Sequence, residues 1–259
     1  NCGVTSTSYS LTGVTMGSGV NTLNGVVFNK GVTTVTWTVG DAAGNTASCS
    51  FTVTVSDDDA PTVSCPGAQT RGTDAPACSY TAVVTEFDVT ASGDNCGVVS
   101  TSYNLTGATS GSGSSTLAGV AFNKGATTVT WTVSDAAGNT AACSFTVTVN
   151  DDDAPSVNCP GNQNRGTEAP ACTYTALGSE FDPTSSSDNC GVSTTSYSLS
   201  GATGGGGSST LAGVVFNKGV TTVIWTVTDA AGNAGSCSFT VTVSDDDAPT
   251  VTCKANQSR

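Results

Sequence analysis

The string Asn-Cys-Gly-Val begins at Asn1, Asn95 and Asn189, each 94 residues from the last. The same offset links Trp37, Trp131 and Trp225, then Cys49, Cys143 and Cys237, then Cys65, Cys159 and Cys253; Asp-Asp-Asp-Ala-Pro returns at Asp57, Asp151 and Asp245. Loops drift in length faster than strands, so register kept through the loops means one module copied in tandem. The first residue falls in mid-module, and Arg259 aligns with Arg71 and Arg165. The expected organisation is a truncated module over 1–56 (strands C to G), complete modules over 57–150 and 151–244, and the first strand of another over 245–259. Such a chain reads as a segment of a longer polymer.

Within one copy the side chains alternate. Thr128, Thr130 and Thr132 oppose Val129, Trp131 and Val133, and Ser144, Thr146 and Thr148 oppose Cys143, Phe145, Val147 and Val149. Cys78, Tyr80, Ala82 and Val84 form a further apolar row, and Val99, Thr101, Tyr103 and Leu105 a less regular one. A period of two rich in β-branched and aromatic residues specifies half-buried strands, and no helical period is present. Asp135-Ala-Ala-Gly138-Asn139 reads as a tight turn with glycine at positive φ, and Phe-Asn-Lys-Gly, at Phe28, Phe122 and Phe216, as a β-turn. The Gly/Ser stretch 110–115 is a flexible loop or a strand edge. About seven short strands per module predict an all-β fold: tandem immunoglobulin-like β-sandwiches forming an extended rod.

Composition removes several functions. There is no histidine, so His-based acid–base catalysis, triads and metal sites are excluded, and the chain is expected not to be an enzyme. Lys+Arg of 7 against Asp+Glu of 20 disfavours nucleic acid and anionic lipid surfaces. No apolar run reaches the ~18 residues of a membrane helix, so no membrane insertion is expected of this segment.

Eleven cysteines in an acidic repetitive chain imply an oxidising compartment, hence a secreted or cell-surface location. In a sandwich, Cys65 ends the first strand and Cys78 opens the second at one pole. Cys96, in the following loop, and Cys143, opening the last strand, share the other pole. The expected bridges are Cys65–Cys78, Cys96–Cys143, Cys159–Cys172, Cys190–Cys237 and Cys2–Cys49, with the partner of Cys253 beyond the chain.

Asp94-Asn-Cys-Gly, the run Gly-Ala-Thr-Thr-Val-Thr-Trp-Thr-Val-Ser-Asp-Ala-Ala-Gly-Asn139, then Cys143-Ser-Phe-Thr-Val-Thr-Val and Ala-Pro-x-Val-x-Cys-Pro resemble the hyalin-repeat (HYR) domain family over nearly the whole chain. The resemblance implies an immunoglobulin-like fold and extracellular adhesion roles; among bacteria it points to long surface adhesins and filaments of the Bacteroidota type. It supplies no catalytic residue. The Gly/Ser-rich insert after Tyr103 departs from the family pattern.

Nine of the twenty acidic residues lie in the three Asp triplets between modules. Asp57, Asp58 and Asp59 should approach Asp94 and Asp135 of the module that follows. At the next junction the set is Asp151, Asp152, Asp153, Asp188 and Asp229, and Asp245, Asp246 and Asp247 open another. Clustered hard oxygens from two linked domains suit Ca²⁺, as in cadherin-like ectodomains. The alternatives are a solvated acidic linker and, for Asp135, an Asx cap on its own turn. Pro61, Pro155 and Pro249 restrict each joint. The expected function is a structural stalk of an extracellular filament or adhesin. Its partners would be neighbouring repeats of the same polypeptide and lateral copies in a filament. Glycan- or protein-binding repeats, or the stalk of a secreted enzyme, are the competing readings.

Overall fold

The computed structural model describes residues 3–256, and every regular element among them is a β-strand. The first repeat forms one antiparallel sheet from β1 (Val4–Gly13), β2 (Gly17–Val20), β3 (Gly31–Asp41) and β4 (Thr46–Val55), in the order β2-β1-β3-β4. The second repeat contains β5 (Thr62–Ser64), β6 (Gln69–Gly72), β7 (Ser79–Thr81), β8 (Ala91–Gly93), β9 (Val98–Gly107), β10 (Gly111–Ser114), β11 (Ala121–Asn123), β12 (Gly125–Asp135) and β13 (Thr140–Asn150). Its main sheet runs β10-β9-β12-β13-β6, antiparallel except that β6 joins β13 in parallel; β5–β8 and β7–β11 are short two-stranded pairs. The third repeat repeats this with β14 (Ser156–Asn158), β15 (Gln163–Gly166), β16 (Thr173–Thr175), β17 (Ser185–Ser187), β18 (Val192–Gly201), β19 (Gly205–Ser208), β20 (Val215–Asn217), β21 (Gly219–Asp229) and β22 (Ala234–Ser244).

The alternation decides which face is buried. Val129, Trp131 and Val133 are wholly buried on one side of β12, and Phe145, Val147 and Val149 continue that layer on β13. Ala82, Phe87, Leu117 and Phe122 close it from the opposite side. Trp131 is fixed at both ends: Tyr103 meets it edge-on at 5.3 Å, and its Nε1–H donates to the Phe87 carbonyl at 2.9 Å. A buried indole N–H needs such an acceptor. The first repeat has no counterparts of Ala82 and Phe87 within the chain, and Phe51 is 47% exposed where Phe145 is 7%.

One local expectation changes, and one left between two readings is decided. The row Cys78 to Val84 is a strand only over Ser79–Thr81, because Val84 takes φ +49° and the Glu86 N–H closes a turn on Val83 O. The Gly/Ser stretch is an edge strand, β10, paired with β9. Gly138 takes φ +95° in the β12–β13 turn, as that turn requires.

The disulfides differ from the sequence expectation. Cys65 bonds Cys143, Cys159 bonds Cys237, and Cys78 of the second repeat bonds Cys190 of the third. Cys65–Cys78, Cys96–Cys143, Cys159–Cys172 and Cys190–Cys237 are therefore not formed. Cys49, Cys96, Cys172 and Cys253 are unpaired and exposed among the described residues, and Cys2, expected to pair with Cys49, lies outside them. The reason is strand length. Cys143 is not at the pole but inside an eleven-residue strand, opposite Trp131. The three-residue β5 brings Cys65 only as far as that point, where both sulfurs pack on the core. Cys78, left at the exit pole, meets the entry pole of the next repeat.

Candidate metal centre

The junction between the second and third repeats is built from four short segments. Asp151-Asp152-Asp153 leaves β13, Asp188-Asn189-Cys190 links β17 to β18, Asp229 ends β21, and Thr73 to Cys78 links β6 to β7. Asp151, Asp188 and Asp229 each place a carboxylate oxygen within 4.8 Å of the other two. Asp151 and Asp229 are buried, and the Asp151 side chain has no exposed area. Lys124, from the Phe-Asn-Lys-Gly turn, reaches Asp151 Oδ2 at 3.0 Å. One ammonium against three carboxylates leaves two negative charges. Like charges that close repel one another.

The remaining lone pairs point to the same need. Asp151 Oδ1, Asp188 Oδ2 and Asn189 Oδ1 are buried without a hydrogen-bond partner. The other oxygens are engaged: Asp188 Oδ1 accepts from the Cys190 N–H at 2.8 Å, and the Asp229 carboxylate accepts from the N–H groups of Gly232 and Asn233 and from Asn233 Nδ2. Asn233 Nδ2 also donates to the Asp151 carbonyl, tying the turn of the third repeat to the linker. The unpartnered, buried carboxylate oxygens of Asp151 and Asp188, within reach of the Asp229 carboxylate and beside excess negative charge, are a donor set that fits a divalent cation of the Ca²⁺ type.

The first junction gathers Asp57, Asp94 and Cys96 in the same way. Asp57 Oδ1 is buried without a partner, and Lys30 holds Asp57 Oδ2 at 2.8 Å. Asp135 lies outside that group. Its Oδ1 caps the N–H groups of Ala137, Gly138 and Asn139, so the Asx cap is its observed work. Asp59 accepts from Asn95 Nδ2 at 2.6 Å, and Asp58 is exposed. At the second junction Asp152 accepts from the Thr73 N–H, while Asp153 accepts from Thr73 Oγ1 and Asn189 Nδ2. The Asp152 carboxylate lies where a Cβ on Gly72 would stand, so a larger residue there would displace that side chain. At the far end Asp245 pairs with Lys218, Asp246 sits over Gly166, and Asp247 accepts from Thr167 Oγ1.

Sequence reasoning missed the lysines, the threonines and the asparagines of this site. Each lysine stands 27 residues before the first Asp of a triplet, at Lys30, Lys124 and Lys218, a constant spacing open to detection. It missed a second constellation as well. Arg71 pairs with Glu86 at 2.8 Å and lies 5.3 Å over the Phe87 ring, while Tyr80 OH donates to the same carboxylate at 2.8 Å. Arg165, Glu180 and Tyr174 repeat it in the third module.

The turn carboxylates make stability depend on acid. Burial opposes ionisation of Asp135 and Asp229, but the Asn139 or Asn233 amide and the turn N–H groups outweigh it, and both carboxyls are held below their ordinary value. The contribution of a carboxyl with a depressed folded pKa is whole above its unfolded value of about 3.9 and is lost as pH falls through the folded value. The melting temperature should be flat from neutral pH to about pH 5 and fall below about pH 4. A melting temperature that instead climbs below that point would mean that relief of the net −13 charge outweighs the caps.

The HYR domain family model matches residues 5–55, 56–149 and 150–243. No curated protein matches the chain in sequence. Solved structures similar to it include Drosophila N-cadherin EC1-4 (14% identity, TM-score 0.37, 84% of this chain and 59% of that one) and protocadherin gamma B2 cadherin domains 1-5 (13%, TM-score 0.35, 94% and 54%). Mouse cadherin-23 EC22-24 is another (15%, TM-score 0.33, 92% and 86%). The chain thus spans a little over half the length of the first two. With three consecutive matches over a tandem array of β-sandwich modules, the chain belongs to the HYR domain family.

Proposed function

We propose that this chain is a stalk segment of an extracellular filament or adhesin, an extended rod of the modules 57–150 and 151–244 with the partial ones at 1–56 and 245–259, whose junctions take Ca²⁺. The observation that carries the reading is the second junction, where Asp151, Asp188 and Asn189 hold buried oxygens without partners. Asp151, Asp188 and Asp229 would hold the ion there, and Asp57 and Asp94 at the first junction. The ion would supply charge neutralisation and cross-linking between repeats. The protein's own residues already restrict the joint: Lys124 and Asn233 grip Asp151, Pro155 is buried, and the Cys78–Cys190 bridge spans the junction. Reach and stiffness, rather than chemistry, are the properties such an arrangement gives.

A glycan-binding reading gains nothing from the aromatic residues. Trp131 and Trp225 are wholly buried and serve as core, not as stacking platforms. The test is calorimetry of the full chain in chelator and in millimolar Ca²⁺, with Mg²⁺ as control. An ion bound only to the folded state adds about 2.7 kcal/mol when it is a hundredfold above its dissociation constant. The melting temperature should rise with Ca²⁺, and the rise should shrink in Asp188→Asn. An unchanged melting temperature at millimolar Ca²⁺ removes the metal from this reading.

A further inference from the structure

The disulfide between repeats comes with a shaped seat. At the second junction Asn189 inserts its amide between Thr73 Oγ1 (3.0 Å), the Ala77 carbonyl (3.2 Å) and Asp153 Oδ2 (2.7 Å). That insertion brings Cys190 to Cys78 with their Cα atoms 4.8 Å apart. The seat belongs to the second repeat and its linker; the inserted Asn-Cys belongs to the third repeat.

The same seat recurs at the other end of the third repeat, and no Asn-Cys among the described residues lies in it. A cleft there is lined by Thr167, Pro170, Cys172, Asp245, Asp247 and Pro249 among others, and Thr73, Pro76, Cys78, Asp151, Asp153 and Pro155 occupy the matching places one repeat earlier. Its internal contacts are already made. Lys218 holds Asp245 at 3.0 Å as Lys124 holds Asp151, and Thr167 Oγ1 reaches Asp247 as Thr73 Oγ1 reaches Asp153. What differs is cover: the Asp245 side chain is 40% exposed against 0% for Asp151, and Cys172 is an exposed thiol where Cys78 is bonded.

We infer that this cleft is a docking socket for the Asp-Asn-Cys-Gly loop of another copy of the repeat, with Cys172 as the thiol that captures the incoming cysteine. The amide of the incoming Asn reads the socket and aligns the sulfurs, and the bond then forms by thiol–disulfide exchange: the Cys172 thiolate attacks the sulfur of an incoming cysteine already held in a mixed disulfide, and the other thiolate of that disulfide leaves. Modules joined in this way carry two kinds of bridge. One, Cys65–Cys143, closes a sandwich; the other, Cys78–Cys190, fastens each sandwich to the next. The inference rests on the tandem extracellular reading above, but it makes no use of calcium.

The test uses the full chain in chelator and a synthetic peptide of sequence 187–193, Ser-Asp-Asn-Cys-Gly-Val-Ser, its cysteine activated as a 2-thiopyridyl disulfide. The attacking protein thiolate forms a new S–S bond with the peptide sulfur; the peptide–thiopyridyl S–S bond breaks, and thiopyridone leaves with the electron pair and a proton. Rates at Cys49, Cys96, Cys172 and Cys253 are read by peptide mapping and divided by the rates for 2-thiopyridyl cysteamine, which removes intrinsic reactivity. Cys172 should capture the peptide about tenfold faster than the other three, and the Asn189→Ala peptide should lose most of that preference, since its three hydrogen bonds go with the amide. Equal normalised rates at the four thiols, or a preference that survives Asn189→Ala, overturns the socket. Either result leaves the calcium melting experiment untouched, so the two failures are distinguishable.

Discussion

Replacing Cys65 and Cys143 together by alanine should destabilise the second repeat by about 2–5 kcal/mol, with the chain-entropy account placing a 78-residue loop near 4.5 kcal/mol. That is a large share of what a single small domain holds. The bridge joins β5, on one side of the core, to the middle of β13 on the other, so its loss frees one wall of the sandwich to leave. Replacing Cys78 and Cys190 together should behave differently. Their bridge crosses the junction, so each sandwich keeps its own core and internal bridge, and the change falls on the coupling between repeats. Calorimetry should show one transition displaced downward in the first variant, and less cooperative transitions in the second. Non-reducing peptide maps of the parent chain check the premise directly: a fragment joining Cys65 to Cys78 would restore the pairing expected from sequence and void both forecasts.

That pairing shows where sequence stops informing structure. The alternation of Val129, Trp131 and Val133 against Thr128, Thr130 and Thr132 carried the strands, because burial on one face of a pleat demands it. Asp135 and Gly138 carried the turn through local chemistry alone. The poles of Cys78 and Cys190 were legible too, but bonding between repeats depends on how far a strand carries each sulfur past its pole. A period-two pattern has no mark for that: Cys143 looks the same as the first or the fourth residue of β13. The metal-type cluster was half legible. Carboxylates announce themselves by charge, so Asp151, Asp188 and Asp229 were found. Asp152 and Asp153 looked equivalent to Asp151 in sequence, yet successive side chains point apart, and their oxygens satisfy Thr73 and Asn189 instead. The lysine that offsets one charge stands 27 residues away on another strand's turn, where only the fold brings it near.

Trp131→Ala should cost about 3–5 kcal/mol in the second repeat, as for other wholly buried aromatic residues, and Trp225→Ala the same in the third. Three losses combine: the indole's contacts with both walls of the core, the edge-on packing of Tyr103, and the hydrogen bond that satisfies the Phe87 carbonyl. Trp131→Phe separates them, since it keeps an aromatic ring but leaves the Phe87 carbonyl unpaired, which carries a penalty of about 1–3 kcal/mol by itself. Trp37→Ala is the internal comparison. Trp37 occupies the same register opposite Cys49 and Tyr9, but it is only half-buried, with no counterpart of Phe87 over it among the described residues. Its cost should be well below that of Trp131. Native-state hydrogen exchange at the amides of β3, β12 and β21 resolves the three repeats separately, where a global melt would mix them. Equal losses at Trp37 and Trp131 would mean that the tryptophan serves its own sheet alone, and that the short strands across the core contribute little to holding each module shut.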